Sequence, residues 1–166
     1  TAVLTSQTGF KSFYCNDCTD KLDYYTSEWK KLGFQPDGIY TGFLSSEKQV
    51  DKILDFINSF ETENTLVLVD PVMGDGGRTY SLFTDALACK MKKLVTVADV
   101  ITPNLTECCI LCDVDYCEFI KNADKPDFMD KIAELGKNLL NRYGVKIVII
   151  TGIDHKDIDG TMYVQN

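Results

Sequence analysis

The sequence predicts an α/β fold, a three-layer α/β/α sandwich built around a mainly parallel sheet. Short apolar runs alternate with stretches of helical periodicity along all 166 residues, and this β-α-β order is typical of a parallel sheet flanked by helices. The runs at residues 66–69 and 145–150 are continuously apolar, as expected of strands buried on both faces. We therefore expect one domain over residues 1–166, with about five strands and these two runs at its centre.

The first half of the chain is predicted to hold three strands and two helices. The strands are the apolar runs at residues 2–4, 38–41 and 66–69, and a polar loop over residues 5–16 follows the first of them. The first helix begins at Thr19 and keeps its apolar residues at helical spacing until Gly33, which is placed to end it. Ser46 and Gln49 have the spacing of a capping box at the start of the second helix, whose apolar stripe ends at Phe60.

The second half continues the same alternation of strands and helices. Its predicted strands lie at residues 100–102, 145–150 and 161–164. A weaker helix covers residues 84–94, and Asn104 and Glu107 have the spacing of a capping box for the helix after it. A further helix carries apolar residues between positions 132 and 140, and Gly144 is placed to end it.

Composition and charge exclude several classes of function. The formal net charge of −8 disfavours binding to DNA or RNA, because such sites need a basic field. No apolar run reaches the ~20 residues that a membrane-spanning helix needs, and the pattern of a signal peptide is absent from the sequence. We therefore expect a cytoplasmic protein that binds neither nucleic acid nor a membrane.

The seven cysteines are predicted to be reduced thiols that pack as small apolar residues. Cys15 and Cys18 form one C-x-x-C pair, and Cys109 and Cys112 form another. The two pairs lie far outside the ~15–20 residue separation that is usual for a zinc ribbon. An odd number of cysteines without a secretion signal also argues against a disulfide framework, so we disfavour a structural zinc and expect free thiols.

Two aspartates follow the predicted strand at residues 66–69. Asp70 and Asp75 flank a glycine-containing loop, just past the carboxyl end of the strand, where ligands bind in open parallel sheets. Mg²⁺ takes one or two carboxylates and fills its other positions with water and phosphate oxygens. The alternative is that each aspartate caps a turn, which is a common role for this residue type.

Asn104 and Glu107 follow the predicted strand at residues 100–102. As a capping box they have a structural role, and a helix N-terminus is also a favourable place for an anion. The two roles are compatible, since a carboxylate there could orient a water bound to a metal. The sequence has neither a P-loop motif nor a dinucleotide-binding glycine motif, so nucleotide binding would have to use another arrangement.

Several motifs together resemble the vitamin-kinase branch of the ribokinase-like superfamily. They are the segment at residues 68–75, the segment at residues 101–104 with Glu107, and the segment at residues 149–152. Hydroxymethylpyrimidine kinases share much of this set. The N-terminal motifs favour the pyridoxal kinase family, and they are residues 1–4 and 7–10, Trp29 and residues 40–44. The resemblance covers almost the whole chain and implies a ribokinase-like fold.

The resemblance also implies roles for individual residues. The residues expected near ATP and its phosphates are Asp70, Tyr80, Asn104, Glu107, Thr151 and Gly152. Asp75 and Glu107 are expected to hold Mg²⁺, directly or through water. The expected monovalent-cation site, for K⁺ or Na⁺, contains Asp70, Thr102 and Thr151. Thr8 matches a position beside the substrate ring, and Phe43 matches an aromatic position over the substrate that is often tyrosine.

The activity implied by the resemblance is ATP-dependent phosphorylation of the hydroxymethyl group of pyridoxal, pyridoxine or pyridoxamine, by a homodimer. In this interpretation the domain is incomplete at both ends. A first strand is expected before Thr1, and a Gly-Thr-Gly-Asp segment with the catalytic base is expected after Asn166, so the chain alone should be inactive. Two alternatives stay open: a hydroxymethylpyrimidine kinase of thiamine synthesis, and a non-catalytic module that binds a nucleotide or a partner.

Overall fold

The computed structural model describes residues 2–6, 10–121, 123–156 and 162–165. The strands are β1 (Val3–Thr5), β2 (Cys15–Asp17), β3 (Gly38–Thr41), β4 (Leu66–Val69), β5 (Gly74–Asp75), β6 (Arg78–Thr79), β7 (Val100–Ile101), β8 (Ile147–Val148), β9 (Ile153–Lys156) and β10 (Met162–Gln165). The helices are α1 (Thr19–Lys31), α2 (Glu47–Phe60), α3 (Asp85–Val95), α4 (Leu105–Cys112), α5 (Tyr116–Ile120) and α6 (Phe128–Tyr143). None of the helices in these ranges could cross a membrane.

A four-stranded parallel sheet in the order β3-β4-β7-β8 forms the centre of the fold. Helices connect its successive strands, with α2 between β3 and β4, α3 between β4 and β7, and α4 to α6 between β7 and β8. Each crossover joins neighbouring parallel strands, as β-α-β units do. The predicted α/β class with a parallel sheet is confirmed, and the sheet has four strands in the described part of the chain where about five are predicted.

The strand β4 occupies the central position that its apolar sequence predicts, but its two faces are not equally buried. Val67 and Val69 are fully buried, whereas Leu66 is 51% exposed. The alternation arises because successive side chains in a strand point to opposite faces of the sheet. The same face as Leu66 also carries Tyr40 on β3 and Ile147 on β8, which are 69% and 50% exposed.

The prediction for residues 145–150 is wrong in position. Only Ile147–Val148 forms a strand, and it pairs with β7 at the edge of the sheet. Among the residues that the structure describes, no strand pairs with the outer side of β8. Apolar content predicts burial, and Val145 is indeed buried, but it cannot distinguish a central strand from an edge strand whose outer face stays exposed.

Three small antiparallel ladders surround the sheet. The strand β1 pairs with β2, so the segment predicted as a loop over residues 5–16 contains the start of a strand at Cys15. The predicted strand at residues 161–164 is found as β10, which pairs antiparallel with β9 outside the parallel sheet; Thr161 lies outside the described residues. The hairpin of β5 and β6, and the short helix α5, are not predicted from the sequence.

The helix boundaries follow the local signals closely. Gly33 and Gly144 follow α1 and α6 with positive φ angles of 64° and 72°, which suit glycine. The side chain of Ser46 caps α2 by accepting from the backbone N–H of Gln49. The reciprocal bond of a capping box is absent there, because the Gln49 side chain accepts from the N–H of Ser45 instead. The other end of the Gln49 side chain, Nε2, contacts the Ala2 carbonyl, Asp17 and the Thr19 hydroxyl.

The cysteines are all free thiols. Cys108 and Cys109 are buried on α4 and pack in the apolar core as predicted. Cys15, Cys89 and Cys117 are exposed, so for these three the predicted core role is wrong. Small apolar side chains tolerate either environment, and the sequence contains no signal that separates the two groups.

Candidate active site

The carboxyl ends of the parallel strands bring several predicted residues to one edge of the sheet. The backbone N–H of Asp70 donates to Thr41 at the end of β3, at 2.8 Å. The N–H of Thr102 donates to Val69 at the end of β4, at 3.2 Å. Thr151 forms an isolated parallel bridge with Asn104. These contacts exist because parallel strands end at the same side of a sheet, as predicted for such sites.

Asn104 and Glu107 form the predicted capping box at the start of α4. The Asn104 side chain accepts from the Glu107 N–H at 3.0 Å, and a Glu107 carboxylate oxygen accepts from the Asn104 N–H at 2.8 Å. Both residues also reach the loop after β4. Asn104 Nδ2 donates to the Gly74 carbonyl at 2.8 Å, and the second Glu107 oxygen accepts from the Met73 N–H at 3.0 Å.

The carboxyl group of Glu107 lies in an unusual environment, because the residue is only 3% exposed. Burial and the nearby charge of Asp70 raise its pKa, while hydrogen bonds from backbone N–H groups lower it, and together they bring the pKa from 4.5 to about 7. Burial also raises the pKa of Asp70, while a hydrogen bond from the Tyr40 hydroxyl at 3.4 Å lowers it. Both carboxyl groups would be stabilised in their charged forms by a cation.

Tyr80 lies near three carboxylates, Asp70, Asp75 and Glu107, which we call the acidic group. Burial raises the pKa of its phenol, and the charges of Asp75, Glu107 and Asp70 raise it further. The Tyr80 N–H donates to the Met73 carbonyl at 3.1 Å, so the residue is anchored to the loop that carries the acidic side chains. Asp75, Glu107 and Asp70 thus each lie near enough to Tyr80 for their charges to raise its pKa, and negative charge collects at this edge of the sheet.

The acidic group would suit a magnesium site in which water and phosphate supply most of the ligands, rather than one in which the protein supplies them all. Within the described ranges, no three Asp, Glu, His or Cys side chains come close enough together to hold a metal ion by themselves. Mg²⁺ does not need such a cage, because it keeps several waters and binds substrate phosphates. Asp75 is exposed, and one of its oxygens accepts from the Gly76 N–H at 2.8 Å. Both oxygens of Glu107 already accept backbone N–H bonds, which favours an indirect contact through water.

A cavity of about 440 Å³ lies beside the acidic group and is lined by both Phe43 and Tyr80. The rest of its wall is mostly apolar and consists of Thr5, Phe13, Cys15, Val72, Ser81 and Leu82. An apolar cavity with a few polar groups at its edge suits a small organic ligand. The other predicted substrate residue, Thr8, lies outside the described residues. Gly152 follows Thr151 with a φ of 67°, at the same end of the sheet.

Two residues of this region are missed by the sequence prediction. Tyr40 lies at the end of β3 and donates its hydroxyl to Asp70. Thr106 is buried on α4, and its hydroxyl accepts from the Gly77 N–H at 2.9 Å. Both lie within motifs that the sequence prediction uses, but each partner is about thirty positions away. Spacing along the chain contains no signal for such contacts.

Comparison with known proteins gives the family of the chain. Residues 28–165 match the family model described as phosphomethylpyrimidine kinase. A protein of Schizosaccharomyces pombe, provisionally named a pyridoxal kinase, is 30% identical over 133 residues, which are 79% of this chain and 36% of that protein. A Bacteroides thetaiotaomicron protein, provisionally named a phosphomethylpyrimidine kinase and crystallised with pyridoxal, has a TM-score of 0.80 at 39% identity, over 92% of this chain and 51% of that one.

More distant structures share the fold. The pyridoxal kinase of Leishmania donovani, in complex with ADP and pyridoxamine, has a TM-score of 0.72 at 19% identity, over 98% of this chain and 55% of that one. The chain thus spans between about a third and a little over half of the length of these relatives. The fold, the match over residues 28–165 and the relatives agree, and the chain belongs to the phosphomethylpyrimidine kinase family as a pyridoxal kinase-like protein of the ribokinase-like superfamily.

Proposed function

We propose that this chain supplies the metal- and phosphate-binding part of an ATP-dependent kinase for vitamin B6. The substrate would be the hydroxymethyl group of pyridoxal, pyridoxine or pyridoxamine. The observation that carries the proposal is the attachment of the loop that leads to Asp75 to Asn104 and Glu107, at the carboxyl edge of a parallel sheet and beside an apolar cavity. Phosphoryl transfer depends mainly on positioning and charge stabilisation, and an acidic group that holds Mg²⁺ against phosphates provides both.

The magnesium ion would be held by Asp75 directly and by Glu107 through a water. The exposed position of Asp75 leaves room for an ion with most of its water shell, which Mg²⁺ retains in protein sites. The positive charge of the bound ion would lower the pKa of Glu107 and so oppose the effect of burial, which raises it. When bound, it would neutralise charge on the β- and γ-phosphates of ATP.

The phosphates and a monovalent cation would lie along the same edge. Asn104 uses one hydrogen of Nδ2 for the Gly74 carbonyl, which leaves the second for a phosphate oxygen. Tyr80 and Gly152 would also contact the nucleotide. Besides their places near the phosphates, Asp70 and Thr151 would join Thr102 in holding K⁺ or Na⁺, since oxygen atoms of these types suit a hard cation.

The cavity lined by Phe43 would hold the pyridine ring, and by the resemblance Thr8, which lies outside the described residues, would be a further substrate residue. Phe43 is 38% exposed, so its ring face is available for stacking against an aromatic substrate. Pyridoxal and pyridoxamine, the vitamers bound in two of the related structures, are rings of this kind. In the reaction, the hydroxyl oxygen of the substrate forms a bond to the γ-phosphorus, the bond to the β-γ bridging oxygen breaks, and ADP leaves.

The base that accepts the hydroxyl proton is proposed to lie outside residues 1–166. The 166 residues contain no Gly-Thr-Gly-Asp sequence, which resembling kinases use to place that base. We therefore expect residues 1–166 alone to show no turnover, whereas the complete enzyme, meaning a polypeptide that also carries this segment, should be active. Homodimer formation and a cytoplasmic location belong to the same proposal, and light scattering of the complete enzyme tests the former.

The test of the proposal is Asp75→Asn in the complete enzyme. Loss of one charged metal ligand should raise the barrier by about 3 kcal/mol, or reduce turnover about a hundredfold at limiting magnesium. The unfolding midpoint should change little, because Asp75 is exposed on its hairpin. Turnover is measured against magnesium concentration, with the exposed Asp37→Asn as the matched control.

Two results would contradict this proposal. If Asp75→Asn turns over normally at low magnesium, Asp75 is not a metal ligand. If the variant unfolds, the residue has only the structural role of a turn aspartate.

A second candidate is a kinase for hydroxymethylpyrimidine, the same chemistry on a different ring. The description of the matching family favours it, whereas the pyridoxal kinase relative favours vitamin B6. Rates with pyridoxal and with hydroxymethylpyrimidine, compared at equal ATP and magnesium, distinguish the two. If the complete enzyme phosphorylates neither ring but still binds ATP, the third interpretation, a non-catalytic binding module, is favoured.

A further inference from the structure

The hairpin of β5 and β6, residues 74–79, carries Asp75 and is shaped by three glycines. Gly76 and Gly77 have positive φ angles of 55° and 77°, which other residues rarely adopt. A Cβ atom on Gly74 would lie 2.2 Å from the carbonyl oxygen of Arg78. The two strands therefore approach each other more closely than a side chain at position 74 would allow, and the hairpin has a defined shape.

The first turn of α4 holds this hairpin through hydrogen bonds to its backbone. Glu107 accepts from the N–H of Met73, and Asn104 donates to the carbonyl of Gly74. Both contacts precede Asp75 in the chain. The third contact follows it, where Thr106 Oγ1 accepts from the N–H of Gly77 at 2.9 Å. Hydrogen bonds to α4 thus lie on both sides of Asp75 in the chain, and the one that follows Asp75 comes from Thr106.

The environment of Thr106 makes this contact well defined. Thr106 is 4% exposed, and a buried hydroxyl is costly without a partner. The ring of Tyr116 also packs against this turn, so closely that a Cβ atom on Gly77 would lie 2.4 Å from it. The turn therefore contacts both α4 and α5.

We propose that Thr106 is a positioning residue that fixes the Asp75 hairpin and thereby sets the magnesium affinity of the site. The inference rests on the proposed function, because it takes Asp75 as the metal ligand. Thr106 itself contacts no proposed ligand. Its effect comes through geometry. When the hairpin is fixed, Asp75 is already in place and no entropy is lost in ordering it as the metal binds. A loosened hairpin would have to be ordered on binding, which weakens the affinity for the metal.

The test compares Thr106→Val with Thr106→Ser in the complete enzyme. Valine keeps the shape of the side chain and loses the acceptor, whereas serine keeps the hydroxyl. Without magnesium or nucleotide, hydrogen exchange of residues 74–79 should be about tenfold faster in Thr106→Val, as expected for the loss of one hydrogen bond. Exchange in Thr106→Ser should stay within about twofold of the wild type.

The same pair of variants is then assayed for turnover. The magnesium concentration for half-maximal activity should rise about tenfold in Thr106→Val, which equals ~1.4 kcal/mol. The KM for the vitamin should stay within twofold, because the substrate cavity does not include the hairpin. A general loss of structure would change both constants together.

Each other outcome has a definite meaning. Unchanged exchange in Thr106→Val overturns the inference, and so does faster exchange with unchanged magnesium dependence. If the wild type needs no magnesium, the proposed function fails, while the exchange data still report on the docking of the hairpin. If Thr106→Val does not fold, Tyr116→Leu replaces the ring that packs against Gly77 and loosens the turn at that contact. It should accelerate the same exchange and raise the same constant, and its failure to do so overturns the inference.

Discussion

Glu107 shows how one side chain can serve the fold and the site together. Its two oxygens accept the N–H groups of Asn104 and Met73, which joins the start of α4 to the loop after β4. Burial and the charge of Asp70 meanwhile raise its pKa to about 7. A carboxyl group with this pKa changes its charge near neutral pH, so metal binding and stability should both depend on pH around this residue.

The first prediction concerns the pH dependence of stability without magnesium. The raised pKa of Glu107 means that the folded protein keeps a proton that the unfolded chain loses between pH 4.5 and about 7. The free energy of unfolding therefore falls as pH rises through this window, by a total on the order of 3 kcal/mol. Glu107→Gln cannot lose a proton, so its stability should fall less.

Urea unfolding at about pH 5 and pH 8 measures this difference, with the exposed Glu63→Gln as control. Both variants lose one carboxyl group, but only the first lies in a buried environment. If wild type and Glu107→Gln show the same change between the two pH values, the N–H donors keep Glu107 ionised in the folded protein and the prediction is wrong.

At the residue scale, local spacing predicts the capping box of Asn104 and Glu107 because both partners lie within one helical turn. The sequence also indicates Asp70 and Asp75 as candidates, since both come after the end of β4 in the chain. Tyr40 and Thr106 could not be predicted in the same way. Their partners are set by how the hairpin and neighbouring strands pack, which is a property of the tertiary structure.

The helix α2 illustrates the same limit at the scale of elements. Its first turn is predicted as a capping box, yet Gln49 turns inward and is fully buried. Its Nε2 contacts the Ala2 carbonyl, Asp17 and the Thr19 hydroxyl, while its oxygen accepts from Ser45. One side chain thus joins the segments of β1, β2 and α1 to the start of α2.

The second prediction is that Gln49→Leu destabilises the protein by about 2–4 kcal/mol, because it removes the contacts of the buried amide with Ala2, Asp17 and Thr19 and leaves the Ser45 N–H without its acceptor. The expected readout is a lower urea midpoint with an unchanged slope, since the change affects stability and not the size of the unfolding unit. Asn58→Leu is the matched control, as Asn58 is an amide on the exposed side of the same helix. An equal effect of both substitutions would refute the role of Gln49.

Elements with a long periodic pattern are predicted well, and very short ones are not. The helices α1, α2, α3 and α6 each extend over at least eleven residues, enough turns to show a stripe. The hairpin strands β5 and β6 have two residues each, too few for any alternation. The edge position of β8 depends on which strands pair with it, and pairing partners are not encoded within the strand itself.

At the scale of the whole molecule, the cysteines report on which parts are accessible. Three thiols are exposed, two are half-buried and two lie in the core. Because seven thiols are spread over several elements, their reaction rates give a map of the folded structure without any mutation.

The third prediction is that three thiols, Cys15, Cys89 and Cys117, react quickly with a thiol reagent in the native protein. Cys108 and Cys109 should react only after unfolding, because burial raises the pKa of both, in Cys109 to about 11, and little thiolate forms. Mass spectrometry of labelled peptides identifies the sites. Rapid labelling of Cys108 in the native protein would show that α4 is not packed as described.

The docking of the hairpin on α4 has a consequence for how this site can change. The side chains of Asn104, Thr106 and Glu107 form hydrogen bonds with main-chain atoms of Met73, Gly74 and Gly77. The identities of the side chains at positions 75 and 78 therefore play no part in the attachment. Under the proposed function, residues 75 and 78 could therefore be replaced to change the preferred metal or nucleotide, while the glycines, Asn104, Thr106 and Glu107 keep the shape and position of the hairpin.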